Sequence, residues 1–349
     1  MGPTRAKPAD IRRLRADNPK MRERDLALQN GFSEAEYVAA GCGDNARRIE
    51  VRVDELLLGL EAVGEVMALT RNDSAVHEKI GVYDKVVTGK HNAMVLGSEI
   101  DLRIFPTVWK HGFAVEKRDG EDVRRSLQFF DGSGEAVHKI HLRPSSNVEV
   151  YEALVASLLS ADQSDTVAVE ERAPEQRAAT RAGAEELRTR WEAMTDVHQF
   201  FGMLRDLNLT RHDAVRLIGT DYAWPVDRSA VEEMMRRSAE SELPIMAFVG
   251  SRGCIQIHSG PIYNLKPMGP WLNVMDPTFH LHLRTDHIRE VWAVRKPTKD
   301  GHVTSVEVYG EDGEMIIQFF GKRQEGVAER EEWRQLAETL PRLDRQTAA

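Results

Sequence analysis

The chain has 349 residues, of which 56 are acidic and 47 basic, and its net charge is −9. Such a length suggests about two domains, and an acidic balance argues against a general nucleic-acid binder, which usually has a basic surface. The sequence contains no apolar run long enough for a helical membrane span, and its charged N-terminal segment is unlike a secretory signal. Only two cysteines are present, Cys42 and Cys254, so we expect a protein of the reducing cytoplasm without disulfides or a zinc cluster.

The first half begins with helical signals and continues with strands. Ser33, Glu36 and Gly41 stand where an N-cap serine, an N3 glutamate and a C′ glycine would enclose a short helix. Short alternating or apolar runs follow, separated by Gly, Asn and Asp, and they predict strands. These runs are residues 65–69, 92–96, 100–105, 113–117, 125–130 and 136–142.

The second half has the same layout after a polar, alanine-rich stretch, residues 160–188, that is typical of a linker. Thr210, Asp213 and Gly219 mark another short capped helix. Strands are predicted at 245–250, 254–258, 279–284, 291–295, 305–309 and 315–320, and a closing helix within 327–340. Tight turns between consecutive strands favour antiparallel meanders over βαβ units.

The two halves are related by a constant shift of 179 positions. Met67-Ala68-Leu69 falls on Met246-Ala247-Phe248, and Gly134-Glu135 falls on Gly313-Glu314, with one register in between. Such self-similarity indicates a tandem duplication. We therefore predict an α+β fold in which each half is a large antiparallel sheet with flanking helices. The first repeat would comprise residues 1–160, the linker 161–188 and the second repeat 189–349.

The sequence lacks the common motifs of nucleotide-binding, metal-binding and esterase sites, since it has no GxGxxG, P-loop, HExxH, CxxC or GxSxG. The most suggestive residue is His198, which would lie in the first turn of a helix beside Phe201 and Met203. A neutral imidazole next to apolar, aromatic side chains suits ligation of haem iron. The alternative is a capping or half-buried histidine with no ligand. The first half has no histidine in the corresponding region, so the two copies would differ.

Three cationic side chains have two interpretations each. Arg103 interrupts an apolar strand and either pairs with Asp101 or reaches into a cavity. Lys296 and Arg323 lie near strand ends and would suit carboxylates such as haem propionates, since cations form charge-assisted hydrogen bonds with them. For both residues the alternative is ordinary surface charge.

The strand histidines give weaker signals. His280 and His282 share one strand face, as a metal pair would, although the sequence defines no third ligand. His138 and His141 are three positions apart near a strand end, and we expect them to be exposed to solvent.

Several segments together resemble the bacterial hemin-degrading factor family (HemS/ChuS type). They are Thr195-Asp196-Val197-His198-Gln199-Phe200-Phe201-Gly202-Met203-Leu204, Arg71-Asn72-Asp73-Ser74-Ala75-Val76-His77-Glu78, Ile100-Asp101-Leu102-Arg103-Ile104-Phe105, Phe320-Gly321-Lys322-Arg323 and residues 244–262. The likeness extends from about residue 9 to residue 333 and implies a cytoplasmic two-repeat protein with large antiparallel sheets.

The resemblance also implies site residues. It makes His198 the proximal iron ligand, Arg103 a distal group and His77 a first-half histidine that takes part in the chemistry. Less directly, it places Phe248 against the ring, and Lys296, Gln318 and Arg323 at pocket or propionate positions.

The implied function is haem degradation for iron acquisition. Haem b would be both the substrate and the iron centre, and an external donor would supply electrons, because no flavin or nicotinamide motif is visible. Implied partners are haem, an uptake transporter, a reductase and a separate haem oxygenase, with neither nucleic acid nor membrane insertion. The alternatives are a carrier that delivers haem without chemistry of its own, and a structural protein that binds no haem.

Overall fold

The computed structural model describes residues 6–171, 183–324 and 326–343. These residues divide into two compact units. The first consists of residues 6–71, 78–171 and 250–256, and the second of residues 72–77, 183–249, 257–324 and 326–343. Part of the predicted linker, residues 172–182, lies outside the described residues. Across the described chain, no helix has the length and apolarity needed to cross a membrane.

The first half alternates helices and strands in the following order. It contains α1 (Pro8–Asp17), α2 (Glu23–Asn30), α3 (Glu34–Ala39), β1 (Ala46–Ile49), α4 (Val53–Val63), β2 (Val66–Arg71), β3 (Ala75–Gly81), β4 (Val86–Val87), β5 (Ala93–Leu96), β6 (Asp101–Ile104), β7 (His111–Asp119), β8 (Asp122–Phe130), β9 (Ala136–Leu142) and α5 (Val148–Ser157).

The second half repeats this series. It contains α6 (Ala184–Glu192), α7 (Gln199–Leu207), α8 (Arg211–Leu217), β10 (Ala223–Val226), α9 (Ala230–Glu240), β11 (Ile245–Gly250), β12 (Cys254–Gly260), β13 (Leu265–Met268), β14 (Trp271–Met275), β15 (Phe279–Arg284), β16 (Glu290–Thr298), β17 (Gly301–Tyr309), β18 (Met315–Gly321) and α10 (Glu331–Glu338).

The predicted duplication is present in the structure. The strands β2, β3, β7, β8 and β9 recur as β11, β12, β16, β17 and β18, and both ends of every pair are displaced by 179 positions. Helix α2 recurs as α7, but its start is displaced by 176 positions. An alignment of the two repeats therefore needs small gaps before β2. The prediction of an α+β tandem repeat is confirmed.

The first unit contains two antiparallel meanders. Strands β1, β7, β8, β9 and β2 are neighbours in that order, and β4, β5 and β6 form a shorter ladder. Helices α4 and α5 cover one face of the longer meander through Leu57, Leu60 and Tyr151. Helix α3 covers its other face, where Phe113 and Phe130 are buried.

The second unit contains the same two meanders, β10-β16-β17-β18-β11 and β13-β14-β15. Side chains along its strands alternate between two cores, as the period of two requires. On β16, Ala293 faces a core shared with α9 and α10, whereas Trp292 and Val294 face a core shared with α6, α7 and α8. The polar side chains of the candidate site lie on the second of these faces.

Both predicted N-caps are confirmed. The Ser33 hydroxyl accepts from the Glu36 N–H at 3.2 Å, and the Glu36 carboxylate accepts from the Ser33 N–H at 2.8 Å. The Thr210 hydroxyl accepts from the Asp213 N–H at 3.0 Å. These contacts, reciprocal at Ser33 and Glu36, satisfy backbone donors that the first turn of a helix leaves unpaired.

The expectation that His138 is exposed is wrong. Its ring is 1 % exposed, with Nδ1 2.9 Å from the Thr70 hydroxyl and Nε2 2.6 Å from the Tyr83 hydroxyl. Burial lowers the pKa of His138 to about 3, so the ring is a neutral member of the first unit's core. The residue lies on the inward face of β9, which the sequence spacing alone did not distinguish from the outward one.

Candidate functional site

The turn before α7 is held rigidly by its own side chains. The Gln199 side-chain oxygen accepts from the backbone N–H groups of Thr195 and Asp196 at 2.9 and 3.3 Å. The Asp196 carboxylate accepts from the backbone N–H of His198 at 2.8 Å. A further backbone bond, from the Lys299 N–H to the Thr195 oxygen at 2.9 Å, ties the turn to the end of β16. The order Thr-Asp-Val-His-Gln therefore fixes the local conformation.

The His198 side chain points outward from this turn and is 90 % exposed. Its Nδ1 is 2.7 Å from the same Asp196 oxygen that accepts from the backbone. Because a carboxylate only accepts, Nδ1 carries a proton, and in the neutral ring Nε2 is the nitrogen that has a lone pair for a ligand. Hydrogen bonding by the His198 backbone N–H, and then by its ring, lowers the pKa of Asp196.

The capping alternative for His198 is wrong. The residue occupies the N-cap position of α7, yet among the described residues its ring caps none of the helical N–H groups. The half-buried alternative does not hold either, because the ring is almost fully exposed.

The outward face of α7 has an unusual composition for a solvated helix. His198, Phe201 and Gly202 stand at i, i+3 and i+4, so they are neighbours on one face. Phe201 is 62 % exposed, and a Cβ atom built on Gly202 would meet no other atom of the described residues within 4 Å. The imidazole is thus bordered by an exposed ring and bare backbone, a surface suited to a flat apolar ligand.

Arg211, the first residue of α8, lies beside the aromatic pair of α7. Its guanidinium carbon is 4.9 Å from the ring centre of Phe200, which is buried, and 5.5 Å from that of Phe201. Its nitrogens donate to the Glu307 carboxylate at 3.1 and 3.3 Å. The contact with the two rings is a cation–π arrangement and brings positive charge next to the exposed face.

Lys296 and Glu307 form a buried ion pair beneath Phe200. The Lys296 Nζ donates to Glu307 at 2.7 Å and lies 4.8 Å from the centre of the Phe200 ring. The hydroxyls of Ser305 and Tyr309 donate to the same carboxylate at 2.9 and 2.6 Å. For Lys296, the alternative of ordinary surface charge is therefore wrong.

The pKa values of this pair reflect its surroundings. Burial lowers the pKa of Lys296 to about 8, with Glu307 opposing the change. Burial acts to raise the pKa of Glu307, but Arg211 and Lys296 together bring it down to about 2. At neutral pH the network therefore contains two cations and one carboxylate, with one positive charge in excess.

Two more of the sequence-predicted residues lie beside this network. Gln318 is directly opposite Glu307 on β17 and Phe248 on β11. With its amide oxygen turned toward Arg211, Gln318 accepts from the guanidinium at 2.7 to 3.1 Å. The Phe248 ring centre is 5.1 Å from that of Phe320. Arg323 lies just beyond the end of β18 and is partly exposed.

The remaining sequence-predicted residues lie elsewhere. His77 belongs to the second unit and is buried against Phe279, whose ring stacks on His258 at 3.9 Å. Arg103 belongs to the first unit, pairs with Asp101 and is 36 % exposed. This pair is one of the two interpretations of Arg103.

A metal pair at His280 and His282 receives no support. The Nδ1 of His282 bonds to the Asn273 side-chain oxygen at 2.6 Å. Over the part of the chain that the structure describes, no three His, Cys, Asp or Glu side chains are grouped as metal ligands.

Sequence reasoning missed Arg211 and Glu307. The one available signal was a glutamate on the predicted strand 305–309, between two valines. A charged residue in such a position is usually paired when it is buried.

The chain is similar throughout to proteins of haem metabolism. Residues 31–158 and 208–340 match the model of the "Haemin-degrading HemS.ChuX domain". The chain is 41 % identical over 321 residues to the hemin transport protein HemS of Yersinia enterocolitica, covering 92 % of this chain and 93 % of that protein.

Two solved structures are similar to this chain over nearly its whole length. Holo-PhuS, described as a heme-binding protein from Pseudomonas aeruginosa, is 41 % identical with a TM-score of 0.94, covering 97 % of this chain and 100 % of the other. ChuS, described as an E. coli heme oxygenase, is 36 % identical with a TM-score of 0.86, covering 93 % and 98 %.

Proposed function

The chain belongs to the haemin-degrading HemS/ChuX family, and from this premise we propose that it binds haem through His198 and opens the macrocycle to release iron. The observation that carries the proposal is the outward imidazole of His198, whose Nε2 is presented beside Phe201 and the bare backbone of Gly202. Histidine nitrogen is a common axial ligand of haem iron, and the ring faces need flat apolar cover.

Other residues of the second unit would suit the rest of the ligand. Phe201 and Gly202 would lie against the macrocycle, and Phe248 would add aromatic contact. Haem also carries two propionates, and the excess positive charge of Arg211 and Lys296 over Glu307 suits a carboxylate. Gln318 and Arg323 complete the polar wall in this proposal.

The chemistry is divided between haem and protein. Haem supplies the iron at which dioxygen reacts, and an external donor supplies the electrons. On their sequence motifs alone, we propose Arg103 as a donor of hydrogen bonds on the distal side and His77 as a further participant. A cytoplasmic location, with haem received from an uptake transporter and electrons from a reductase, completes the proposal.

A specific observation favours a second candidate, a carrier that delivers haem to a separate oxygenase. The His198 ring is 90 % exposed, so an incoming ligand group from a partner protein could approach the same face. The relative HemS is named as a transport protein, whereas ChuS is named as an oxygenase.

A haem titration of the full chain tests the ligand assignment. His198→Ala should abolish the Soret spectrum of a histidine complex, because it removes the nitrogen that would bind iron. His302→Ala, a change of another exposed histidine in the same unit, is the matched control and should leave the spectrum unchanged. An unchanged spectrum and affinity in His198→Ala would overturn the assignment.

A turnover assay separates the enzyme from the carrier. The haem complex would be incubated with a reductant and oxygen, with and without catalase. A verdin-type product and released iron that persist with catalase support the enzyme. Product that disappears with catalase indicates bleaching by free peroxide and supports the carrier, as does the absence of product.

A further inference from the structure

The Asp196 carboxylate makes two bonds to one residue. Its Oδ1 accepts from the backbone N–H of His198 at 2.8 Å and lies 2.7 Å from the Nδ1 of the same residue. From this geometry we infer that Asp196 is a positioning residue, which sets the tautomer and the electron-donating strength of His198 toward haem iron. The inference rests on the proposed function, since it concerns the same imidazole.

The chemical reason is the pairing of a carboxylate with a ligand histidine. A metal-bound histidine usually donates its other ring N–H to a carboxylate or a carbonyl oxygen, which fixes the ring and raises its basicity. A carboxylate is the stronger acceptor because it is charged. The bond gives the imidazole partial anionic character, so Nε2 becomes a better donor and the ferric state of bound iron is favoured.

The carboxylate is held independently of the imidazole. The backbone N–H of His198 orients it, and the Gln199 side chain fixes the backbone of Thr195 and Asp196. The orientation therefore exists before any ligand binds, and little rearrangement is needed on binding.

The turn before α9, in the same unit, shows which of the Asp196 contacts also occur in another turn and which depends on the imidazole of His198. Before α9, Asp227 accepts from the Ser229 N–H at 2.9 Å and from its hydroxyl at 2.6 Å. Asp-x-Ser and Asp-x-His are thus the same helix-starting turn, in which the third side chain reaches the aspartate. Of these two turns, the one before α7 places an imidazole beside the carboxylate, and the one before α9 places a hydroxyl there.

The first repeat has neither member of the pair. Residues 19–22, which precede the corresponding helix α2, include no aspartate and no histidine. The aspartate therefore occurs in the repeat that has the histidine, as expected if it serves the histidine rather than only the helix start.

The test uses the full chain with haem bound and compares Asp196→Asn, Asp196→Ala and the control Asp227→Asn. Asparagine retains an oxygen for the backbone N–H, so the turn is kept while the charge is lost. In Asp196→Asn we expect bound haem, a lower Fe–His stretching frequency in the ferrous complex, a more positive midpoint potential and about tenfold faster haem loss. Asp196→Ala should change all three further, and Asp227→Asn none.

The outcomes distinguish this inference from the proposed function. If Asp196→Asn and Asp196→Ala match the parent in stretching frequency and potential while His198→Ala loses its Soret signature, Asp196 is only a helix cap and the inference is overturned. If His198→Ala keeps the signature, the ligand assignment itself fails, and the role of Asp196 fails with it.

Discussion

The Glu307 carboxylate pairs with two cations, Lys296 and Arg211, in the core between β17 and α8, and its loss should be costly. Glu307→Gln would leave Lys296 and Arg211 without a buried counter-ion, and removal of one member of a buried ion pair costs about 3–5 kcal/mol. We expect the lower end, about 3 kcal/mol, because Arg211 is partly exposed and can hydrate. Urea unfolding of the ligand-free protein measures the change.

A matched control is Glu311→Gln, since the Glu311 side chain is 80 % exposed and pairs with Arg289 at 3.3 Å. A surface ion pair contributes about 0–1 kcal/mol. Equal effects of the two substitutions would contradict the buried role of Glu307.

Lys296 should make stability depend on pH in the alkaline range. Its pKa is lowered from 10.5 to about 8 in the folded protein, mainly by burial. Between these two values the unfolded chain binds more protons at this position than the folded chain, so stability rises with pH. Below pH 8 the lysine is charged in both states, and its contribution does not vary.

The measurement compares urea unfolding of the parent and of Lys296→Met from about pH 7.5 to about pH 10. This range covers most of the interval between the lowered pKa of Lys296 and its ordinary value. The difference in unfolding free energy between the two proteins should change in favour of the parent as pH rises. A difference that stays constant would show that Lys296 titrates normally in the folded state.

Helix α7 carries a glycine that neither packing nor backbone geometry requires. A Cβ atom at Gly202 would clash with nothing among the described residues, and Gly in a helix interior costs about 1 kcal/mol relative to Ala. A side chain on a helix lies over the turn that precedes it. A large side chain at position 202 would therefore cover the region beside His198, where haem is proposed to bind.

Two substitutions test this reasoning. Gly202→Ala should stabilise the ligand-free protein by about 0.5–1 kcal/mol and leave haem affinity nearly unchanged. Gly202→Leu should also fold stably, but it should weaken haem binding by about tenfold or more, equivalent to about 1.4 kcal/mol. Thermal unfolding and haem titration measure both effects, and full affinity in Gly202→Leu would place the ligand elsewhere.

Elements with a local signal were predictable, and those without one were not. The N-caps at Ser33 and Thr210 are indicated by residues close together in the sequence, and strands such as β15 alternate between buried apolar and half-buried polar side chains. Helices α4 and α9 were missed, although both bury apolar side chains against a sheet. Their N-cap residues, Arg52 and Ser229, make no side-chain cap, so the serine or threonine cap that identified the other two helices was not available for them.

The site was predictable in the same limited way. His198 and its turn lie within one segment of sequence and could be recognised there. The pairing of Arg211 with Glu307 joins residues 96 positions apart, and it depends on which face of β17 meets α8. Tertiary packing of this kind leaves little trace in a single sequence, and for the same reason the burial of His138 was missed.

The two repeats share a framework but have diverged in charge where the second repeat would hold haem. Arg211 and Gln318 of the second repeat correspond to Glu34 and Lys139 of the first. Glu34 is buried, accepts from Lys139 at 2.8 Å and pairs with Arg71. In the first repeat a carboxylate therefore stands where the second has a guanidinium, and it is already neutralised by cations.

One haem should bind per chain for this reason. The segment before α2 has no histidine that corresponds to His198, so the first repeat lacks the imidazole ligand, and Glu34 stands where a guanidinium could donate to a propionate. A Soret titration should reach its end point at one equivalent, and native mass spectrometry should show a single added haem. In His198→Ala both signals should disappear together. A second equivalent that survives in His198→Ala would instead mean that the first repeat has its own haem site, built on residues other than those that the duplication aligns.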